Sequence, residues 1–201
     1  DYNSIIPNSR FYLFADLSQY LLPEDVYHCP LQSNPAEFVK YPIVDSTLYN
    51  LYDDNDLRKT AFFTTYNGGI RFKGNYEFKI IGHLYGGIAL DEIYLIRAAA
   101  SARLGNTNAA LADLNDLLIK RYLNGTFIPH TAINADDALV QILTERRKEL
   151  CFRGLRWTDL RRLNQDPRFA ITLKRVRNGT TYTLPPNDPR YALPIPDNEI
   201  A

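Results

Sequence analysis

The chain has 201 residues, 45% of them hydrophobic, and its 23 lysine and arginine residues balance 23 aspartate and glutamate residues. This length and composition exclude a disordered tail and predict one globular domain with a hydrophobic core. No stretch approaches the roughly 18 apolar residues of a membrane-spanning helix, and the first residues lack the charged start and apolar core of a signal peptide. The basic residues alternate with acidic ones, which argues against a nucleic-acid surface.

The first part of the chain, residues 1–87, is predicted to be mostly irregular and rich in aromatic side chains. It holds ten of the 14 tyrosines and seven of the ten phenylalanines. Within it, Asn67-Gly68-Gly69 separates two β-prone runs, which is typical of a tight hairpin turn. The run DDND at 53–56 resembles part of a calcium loop, but the glycine and closing glutamate of an EF-hand are absent. We interpret it as a turn whose carboxylates cap a helix.

The pattern becomes helical over residues 88–122, where two helices are predicted with a break at Gly105. Small residues at Ala98 and Ala110, twelve positions apart, fit one tetratricopeptide-like repeat. A single repeat of this kind cannot bury both of its faces. Its first helix is therefore expected to pack on a later helix, predicted over 135–153, or on parts of the protein outside this chain.

A further helix is predicted to begin after Asn134, which can cap it, and to be stopped by Gly154, before a short helix over 156–163. Arg146 projects from the apolar face of the helix that follows Asn134. Arg97 lies on the same face of the repeat as three apolar residues, Leu90, Tyr94 and Leu104. A buried guanidinium group needs carboxylate partners. These arginines therefore predict an internal ion-pair network. Its predicted members are Arg97, Glu145, Arg146, Glu149 and Asp159.

The last part of the chain, residues 166–201, is predicted to form a second hairpin followed by an extended strap. Asn178-Gly179 supplies the turn, and the apolar positions alternate between Ile171 and Val176. Several prolines between positions 185 and 196 prevent regular helix.

We therefore predict a mainly α fold, in which tetratricopeptide-like helical hairpins pack with an irregular, aromatic-rich region containing short β-hairpins. The prediction is a single domain over 1–201. Its parts are the aromatic-rich region 1–87, the helical repeat region 88–165, and the hairpin with proline-rich strap 166–201.

The residues offer no catalytic or metal site and call for no cofactor. The histidines, His28, His83 and His130, lie far apart and fit no metal-ligand spacing. Neither a GxSxG motif nor a phosphate-binding loop is present, and the paired carboxylates are adjacent at turns or helix starts. Cys29 and Cys151 leave either free thiols or one disulfide open, and we favour free thiols. We predict no enzymatic activity.

Aromatic residues stand beside amides and hydroxyls in the first 38 residues. Such surfaces suit ligands that have apolar C–H faces and many hydroxyl groups, as sugars do. On this density alone we predict four ligand-binding residues, Tyr12, Tyr20, Tyr27 and Asn34. The alternative for any one of these aromatic residues is a place in the hydrophobic core.

Four segments, in order along the chain, resemble segments of the SusD/RagB family of nutrient-binding outer-membrane lipoproteins. The longest, ERRKELCFRGLRWTDLRRLN at 145–164, resembles the family pattern ERRRELAFEGxRWxDLxR. The others are LYDDNDLRKTAFF, DEIYLIRAAASARLGNTNAALADLN and RYALPIPDNEI. The departures are Cys151, Arg153 and Leu155, where Ala, Glu and His respectively are common.

The resemblance implies a SusD-like fold and a cell-surface protein that captures a glycan, or sometimes a peptide, without catalysis. It also implies a SusC-like TonB-dependent transporter as partner and attachment to the outer membrane through a lipid anchor. Family members are longer, so we interpret this chain as a C-terminal portion. The matching segments are scaffold and do not name the ligand.

Two other classes of function remain open at this point. A peptide-binding or protein-interaction adaptor of the tetratricopeptide type is indicated by the single helical repeat. A glycoside hydrolase would need two carboxylates that face each other across a cleft.

Overall fold

The chain folds as a mainly helical protein with short antiparallel strand pairs, which confirms the predicted fold class. The computed structural model describes residues 24–27, 29–31, 43–73 and 84–195. The chain forms two compact units, the first ending at Arg153 and the second beginning at Gly154. The single domain over 1–201 stays a prediction.

The first unit combines short strands with five helices in its described part. In chain order, its elements are β1 Asp25–Tyr27, β2 Pro30–Leu31, α1 Ser46–Tyr49, α2 Leu57–Phe62, β3 Phe63–Tyr66, β4 Gly69–Phe72, β5 Leu84–Tyr85, β6 Ile88–Ala89, α3 Leu90–Arg103, α4 Thr107–Leu118 and α5 Ala135–Glu149. The strands pair antiparallel as β1 with β6, β2 with β5 and β3 with β4. The helices therefore carry most of the regular structure.

The β3–β4 hairpin is the one predicted from Asn67-Gly68-Gly69. Asn67 and Gly68 have φ angles of 46° and 72°, so both central residues of the two-residue turn lie in the left-handed region. Type I′ turns need this conformation, and asparagine followed by glycine adopts it at low cost. Phe63 pairs with Phe72 in the register of the hairpin.

An aromatic core lies around this hairpin, and it absorbs many of the aromatic residues of the described first part. Phe63 is edge-on to the ring of Tyr52, with centroids 5.2 Å apart, and Phe72 stacks on Phe152 at 4.2 Å. The buried members of this core are Val44, Tyr52, Ala61, Phe62, Phe63 and Phe72. Aromatic pairs of these geometries add to the stabilisation from burial.

Helices α3 and α4 form the predicted helical hairpin, and α3 packs on both α4 and α5. Ala98 of α3 and Ala110 of α4 are fully buried, which allows the two helices to approach closely. Helix α5 begins after Asn134, whose Oδ1 accepts a hydrogen bond from the backbone N–H of Asp137 at 2.9 Å. These features confirm the predicted helices, although α5 ends at Glu149, before Gly154 is reached.

Gly87, between β5 and β6, has no room for a side chain. A Cβ atom there would overlap the carbonyl oxygen of Tyr27 and would lie 2.8 Å from the ring of Tyr85. We expect Gly87→Ala to lower the free energy of unfolding by about 1–3 kcal/mol, because the β1–β6 pair must shift. Denaturant unfolding measures the change. The control Ile88→Ala, at a half-exposed position, should cost less than about 0.5 kcal/mol. Equal losses would contradict the close approach.

The second unit contains α6 Arg156–Leu163, β7 Leu173–Arg177, β8 Thr180–Leu184 and one turn of 3-10 helix, Pro189–Tyr191. Strands β7 and β8 form the predicted hairpin, and its turn residues Asn178 and Gly179 again have positive φ angles, 50° and 75°. Trp157 on α6 donates from Nε1 to the carbonyl oxygen of Tyr191 at 3.1 Å. This bond fastens the segment after the hairpin to the helix.

Candidate functional site

Six buried charged side chains form one group in the first unit, here called the ion-pair cluster. Three are acidic and three are basic, so the formal charges balance. The members are Asp56, Arg58, Arg121, Glu145, Lys148 and Glu149, each at most 4% exposed. Buried charges are tolerated only when they are paired in this way.

Arg58 is the centre of the ion-pair cluster. Its Nη2 lies 2.7 Å from Asp56 Oδ2 and 2.8 Å from Glu145 Oε2, and its Nη1 lies 2.9 Å from Glu149 Oε2. Asp56 is placed by the start of α2, where its side chain caps the helix by accepting from the backbone N–H of Arg58. Glu145 and Glu149 are four residues apart on α5 and therefore share a face.

The other two cations complete the ion-pair cluster. Arg121 donates from Nε to Glu149 Oε1 at 2.7 Å. Lys148 Nζ lies 2.8 Å from Glu145 Oε1 and 3.0 Å from Asp56 Oδ2. The ammonium group also lies 5.3 Å from the centre of the Tyr52 ring, within the range of a cation–π contact. The cluster thus ties α2 and the residue at 121 to α5.

The cations hold the carboxylates of the ion-pair cluster in their charged form. Burial alone would raise the pKa of Glu149, but the guanidinium groups of Arg121 and Arg58 outweigh it and lower the pKa to about 2. Burial is likewise outweighed by Arg58 at Asp56, whose pKa is below its usual value. A carboxylate held ionised between two guanidinium groups neither gives nor takes a proton near neutral pH. The ion-pair cluster therefore has a structural role, in which it holds α2 and residue 121 against α5.

Asp91, at the start of α3, has a different environment. Burial raises the pKa of Asp91 to about 7, although the guanidinium of Arg153, with Nη1 2.8 Å from Asp91 Oδ2, acts against this shift. A carboxyl group with such a pKa is typical of an acid–base catalyst only when it lines a cleft. The Asp91 side chain is fully buried, so we interpret it as a structural partner of Arg153.

Four of the five predicted members of the ion-pair network occupy three kinds of place. Glu145 and Glu149 belong to the cluster, and Arg146 donates from Nη2 to Glu92 Oε1 at 3.0 Å with both side chains largely buried. Asp159 accepts from Arg162 at 3.1 Å within the second unit.

The prediction that Arg97 lies inward is wrong. Its side chain is 65% exposed and pairs with Asp113 on α4. The apolar residues taken to surround it are themselves exposed, since Leu90 is 42% and Leu104 is 79% exposed. Helix α3 instead buries the face that carries Leu95, Ala98 and Ala102.

Four members of the ion-pair cluster were absent from the network that the sequence predicted, and these are Asp56, Arg58, Arg121 and Lys148. A signal for two of them was present. Asp56 and Arg58 are among the acidic and basic residues of LYDDNDLRKTAFF, one of the segments that carried the family resemblance.

Tyr27 is the predicted ligand-binding residue that the structure describes. It lies on β1 opposite Ile88 of β6, and both side chains are exposed, by 61% and 46%. Directly opposed residues of an antiparallel pair point to the same side. The two side chains therefore form a small apolar surface open to solvent. The other three predicted ligand-binding residues, Tyr12, Tyr20 and Asn34, lie outside the described residues.

The described residues also bear on metal binding, thiol chemistry and membrane insertion. Their His, Cys, Asp and Glu side chains form no group of three that could hold a metal ion. Cys29 and Cys151 are free thiols, and burial raises the pKa of Cys151 to about 12. Within the same part of the chain, none of the helices combines the length and apolar character needed to cross a membrane.

Similarity to known proteins was found at the level of family and of fold. The SusD family matches residues 90–201. A SusD-like carbohydrate-binding protein from Bacteroides vulgatus ATCC 8482 is 28% identical, with a TM-score of 0.54, over 79% of this chain and 40% of that one. A SusD superfamily protein from Bacteroides fragilis NCTC 9343 is 24% identical, with a TM-score of 0.46, over 58% of this chain and 28% of that one. No curated protein matches the chain. The chain thus spans less than half the length of these two structures.

Proposed function

Since the chain belongs to the SusD family, we propose that it binds a glycan and catalyses no reaction on it. The observation that carries this proposal is the similarity, over 79% of the chain, to a SusD-like carbohydrate-binding protein. The pairing of the buried carboxylates supports the absence of catalysis. Glu145 and Glu149 each contact two cations, so neither can serve as the acid or base of a glycosidase.

The ligand is proposed to contact the exposed surface of Tyr27, together with Tyr12, Tyr20 and Asn34. An aromatic ring open to solvent can stack on the C–H face of a sugar ring, while amide groups bind its hydroxyls. Tyr27 has such a ring at the end of β1, with Ile88 beside it.

In the whole protein, we propose that the glycan is captured at the cell surface and delivered to a SusC-like TonB-dependent transporter. The protein would be held at the outer membrane by a lipid anchor. These proposals rest on family membership and on the resemblance of the four segments. They are tested by co-purification of the full-length protein with an outer-membrane transporter.

Calorimetry with the folded 201-residue chain tests glycan binding. The panel contains host mucin glycans and plant and yeast polysaccharides of differing backbone. We expect heat of binding with one polymer and no product after long incubation. Tyr27→Ala should weaken that binding about tenfold, as expected for loss of an aromatic anchor. The control Tyr66→Ala removes another exposed tyrosine, on β3, and should leave affinity unchanged.

Two outcomes would contradict these proposals. If a folded sample gives no heat of binding with any polysaccharide of the panel, glycan binding is contradicted. That result would favour the alternative, a peptide-binding adaptor of the tetratricopeptide type. That alternative is supported by apolar side chains exposed on α3, at Ile93 and Ile96. Equal effects of Tyr27→Ala and Tyr66→Ala would remove Tyr27 from the site.

A further inference from the structure

A pocket of about 200 Å³ lies within the second unit, between the end of α6 and the segment that follows the second hairpin. Pockets that bind drug-sized ligands have volumes of about 300 Å³ or more. This smaller volume suits a single sugar residue or a group of similar size. Arg161, Asn164 and Gln165 line it from the helix side, and Asn187, Asp188 and Tyr191 line it from the other segment.

Two lining residues are buried and carry polar atoms that lack a partner. Asn164 is 3% exposed, and its Oδ1 accepts from the backbone N–H of Ile171 at 3.2 Å. Its Nδ2, a donor, has no hydrogen-bond partner among the described residues, and the hydroxyl of Tyr191, 5% exposed, has none either. Buried polar groups are normally satisfied, so two unsatisfied groups beside one pocket point to a missing acceptor.

The charges around the pocket also favour a ligand that accepts hydrogen bonds. The exposed guanidinium of Arg161 forms no ion pair within the described part of the chain. Asp188, the acidic residue of the lining, is already occupied by Arg190, whose Nε and Nη2 each lie 2.8 Å from its oxygens. Gln165 Nε2 donates to Asn187 Oδ1 at 2.7 Å. The pocket lining thus has hydrogen-bond donors without a partner, whereas its main acceptors already accept hydrogen bonds from other residues.

We propose that this pocket binds the oxyanion of an acidic sugar residue, either the carboxylate of a hexuronate or the sulfate of a sulfated sugar. Arg161 would provide the charge, and Asn164 and Tyr191 would donate hydrogen bonds. In this structure the free atoms of Asn164 and Tyr191 are closed off from solvent, so their donation to the ligand requires both side chains to turn toward the pocket. The proposal rests on the proposed glycan-binding function and names a class of sugar for it.

NMR titration of the isotope-labelled 201-residue chain tests the site directly. The ligands are glucuronate, glucose 6-sulfate and neutral glucose. We expect the side-chain amide signal of Asn164 and the guanidinium signal of Arg161 to move with the anionic sugars and to stay in place with glucose. The tighter of the two anionic sugars identifies the carboxylate or the sulfate as the source of the oxyanion.

Two matched variants separate the site from general charge effects. Arg161→Gln should weaken binding of the anionic sugar about tenfold, as expected for loss of a charged hydrogen-bond donor. Arg162→Gln removes the neighbouring exposed arginine, which pairs with Asp159, and should leave binding unchanged. Equal weakening by both variants would overturn the proposal.

The outcomes also distinguish this site from the general glycan proposal. If a neutral polysaccharide binds the chain while none of the three sugars moves the Asn164 signal, the pocket proposal fails and glycan binding stands. A pocket filled by water alone gives that same unmoved signal. If the anionic sugar moves the Asn164 signal but no polysaccharide of the panel binds, the pocket proposal stands and the wider function fails.

Discussion

Replacement of Arg58 by alanine is expected to lower the free energy of unfolding by about 3–5 kcal/mol, the cost of leaving buried charges without their partner. Arg58 contacts the carboxylates of Asp56, Glu145 and Glu149, and the two remaining cations cannot neutralise all three. Chemical denaturation with an unchanged m-value measures the loss. Arg58→Lys should fall between the wild-type chain and Arg58→Ala, because lysine keeps the charge but cannot bridge all three carboxylates.

An exposed ion pair provides the control for the Arg58 substitution. Arg97 pairs with Asp113 at 2.6 Å, but its side chain is 65% exposed, so water screens the pair. Arg97→Ala should cost less than about 1 kcal/mol. If Arg58→Ala and Arg97→Ala unfold at the same denaturant concentration, the buried carboxylates do not depend on Arg58. That result would contradict the stabilising role of Arg58 in the ion-pair cluster.

Acid should destabilise the first unit over a defined range of pH. The folded pKa of Glu149, about 2, lies below its ordinary value of 4.5, so its stabilising contribution is present above pH 4.5 and is lost as the pH falls towards 2. Asp56 is lowered in the same direction and adds to the loss. The free energy of unfolding should fall by about 2–3 kcal/mol between pH 4 and pH 2.

Asp91 sets the upper limit of that pH range. Its folded pKa is raised to about 7, so its contribution is present at low pH and is lost as the pH rises from about 4 to 7. Below pH 4 the contribution of Asp91 to stability therefore no longer changes with pH. Glu149→Gln should be less stable at neutral pH and should lose less between pH 4 and pH 2. An acid loss as large in Glu149→Gln as in the wild-type chain would count against the depressed pKa.

The elements that local chemistry determines were predictable from the sequence. Both hairpins have an asparagine followed by glycine at a turn that requires positive φ angles, at Asn67 and at Asn178. Helix α5 follows Asn134, whose side chain caps it. In each case a residue type and its position within a few residues specify the conformation. The fold class followed from these signals together with helical periodicity.

The side-chain placements that depend on packing were predicted less well. Arg97 was expected to lie inward because large apolar residues surround it, yet α3 buries the face that carries Ala98, Ala99 and Ala102. Short alanine side chains let neighbouring helices approach, so the less apolar-looking face is the one that packs. Arg58 lies on a helix of only six residues, too short for periodicity to show which side is buried.

The candidate ligand site was still harder to predict from the sequence. The aromatic density of the first 38 residues suggested ligand contacts, while further along the chain Tyr52, Phe62 and Phe63 are core residues. An aromatic side chain serves a core and a sugar platform equally well, and composition does not distinguish the two. The pocket beside Asn164 was missed because its lining residues come from separate stretches of the second unit.

The charge balance of the ion-pair cluster restricts how its residues can change over time. Three positive and three negative side chains are buried together, so a mutation at one of them leaves an odd charge in the interior. A second, compensating mutation would be needed before stability returned, and the intermediate would be disfavoured. An exposed residue such as Tyr27 has no such constraint. A framework of this kind lets surface positions diversify, and with them ligand preference, while the interior holds its composition.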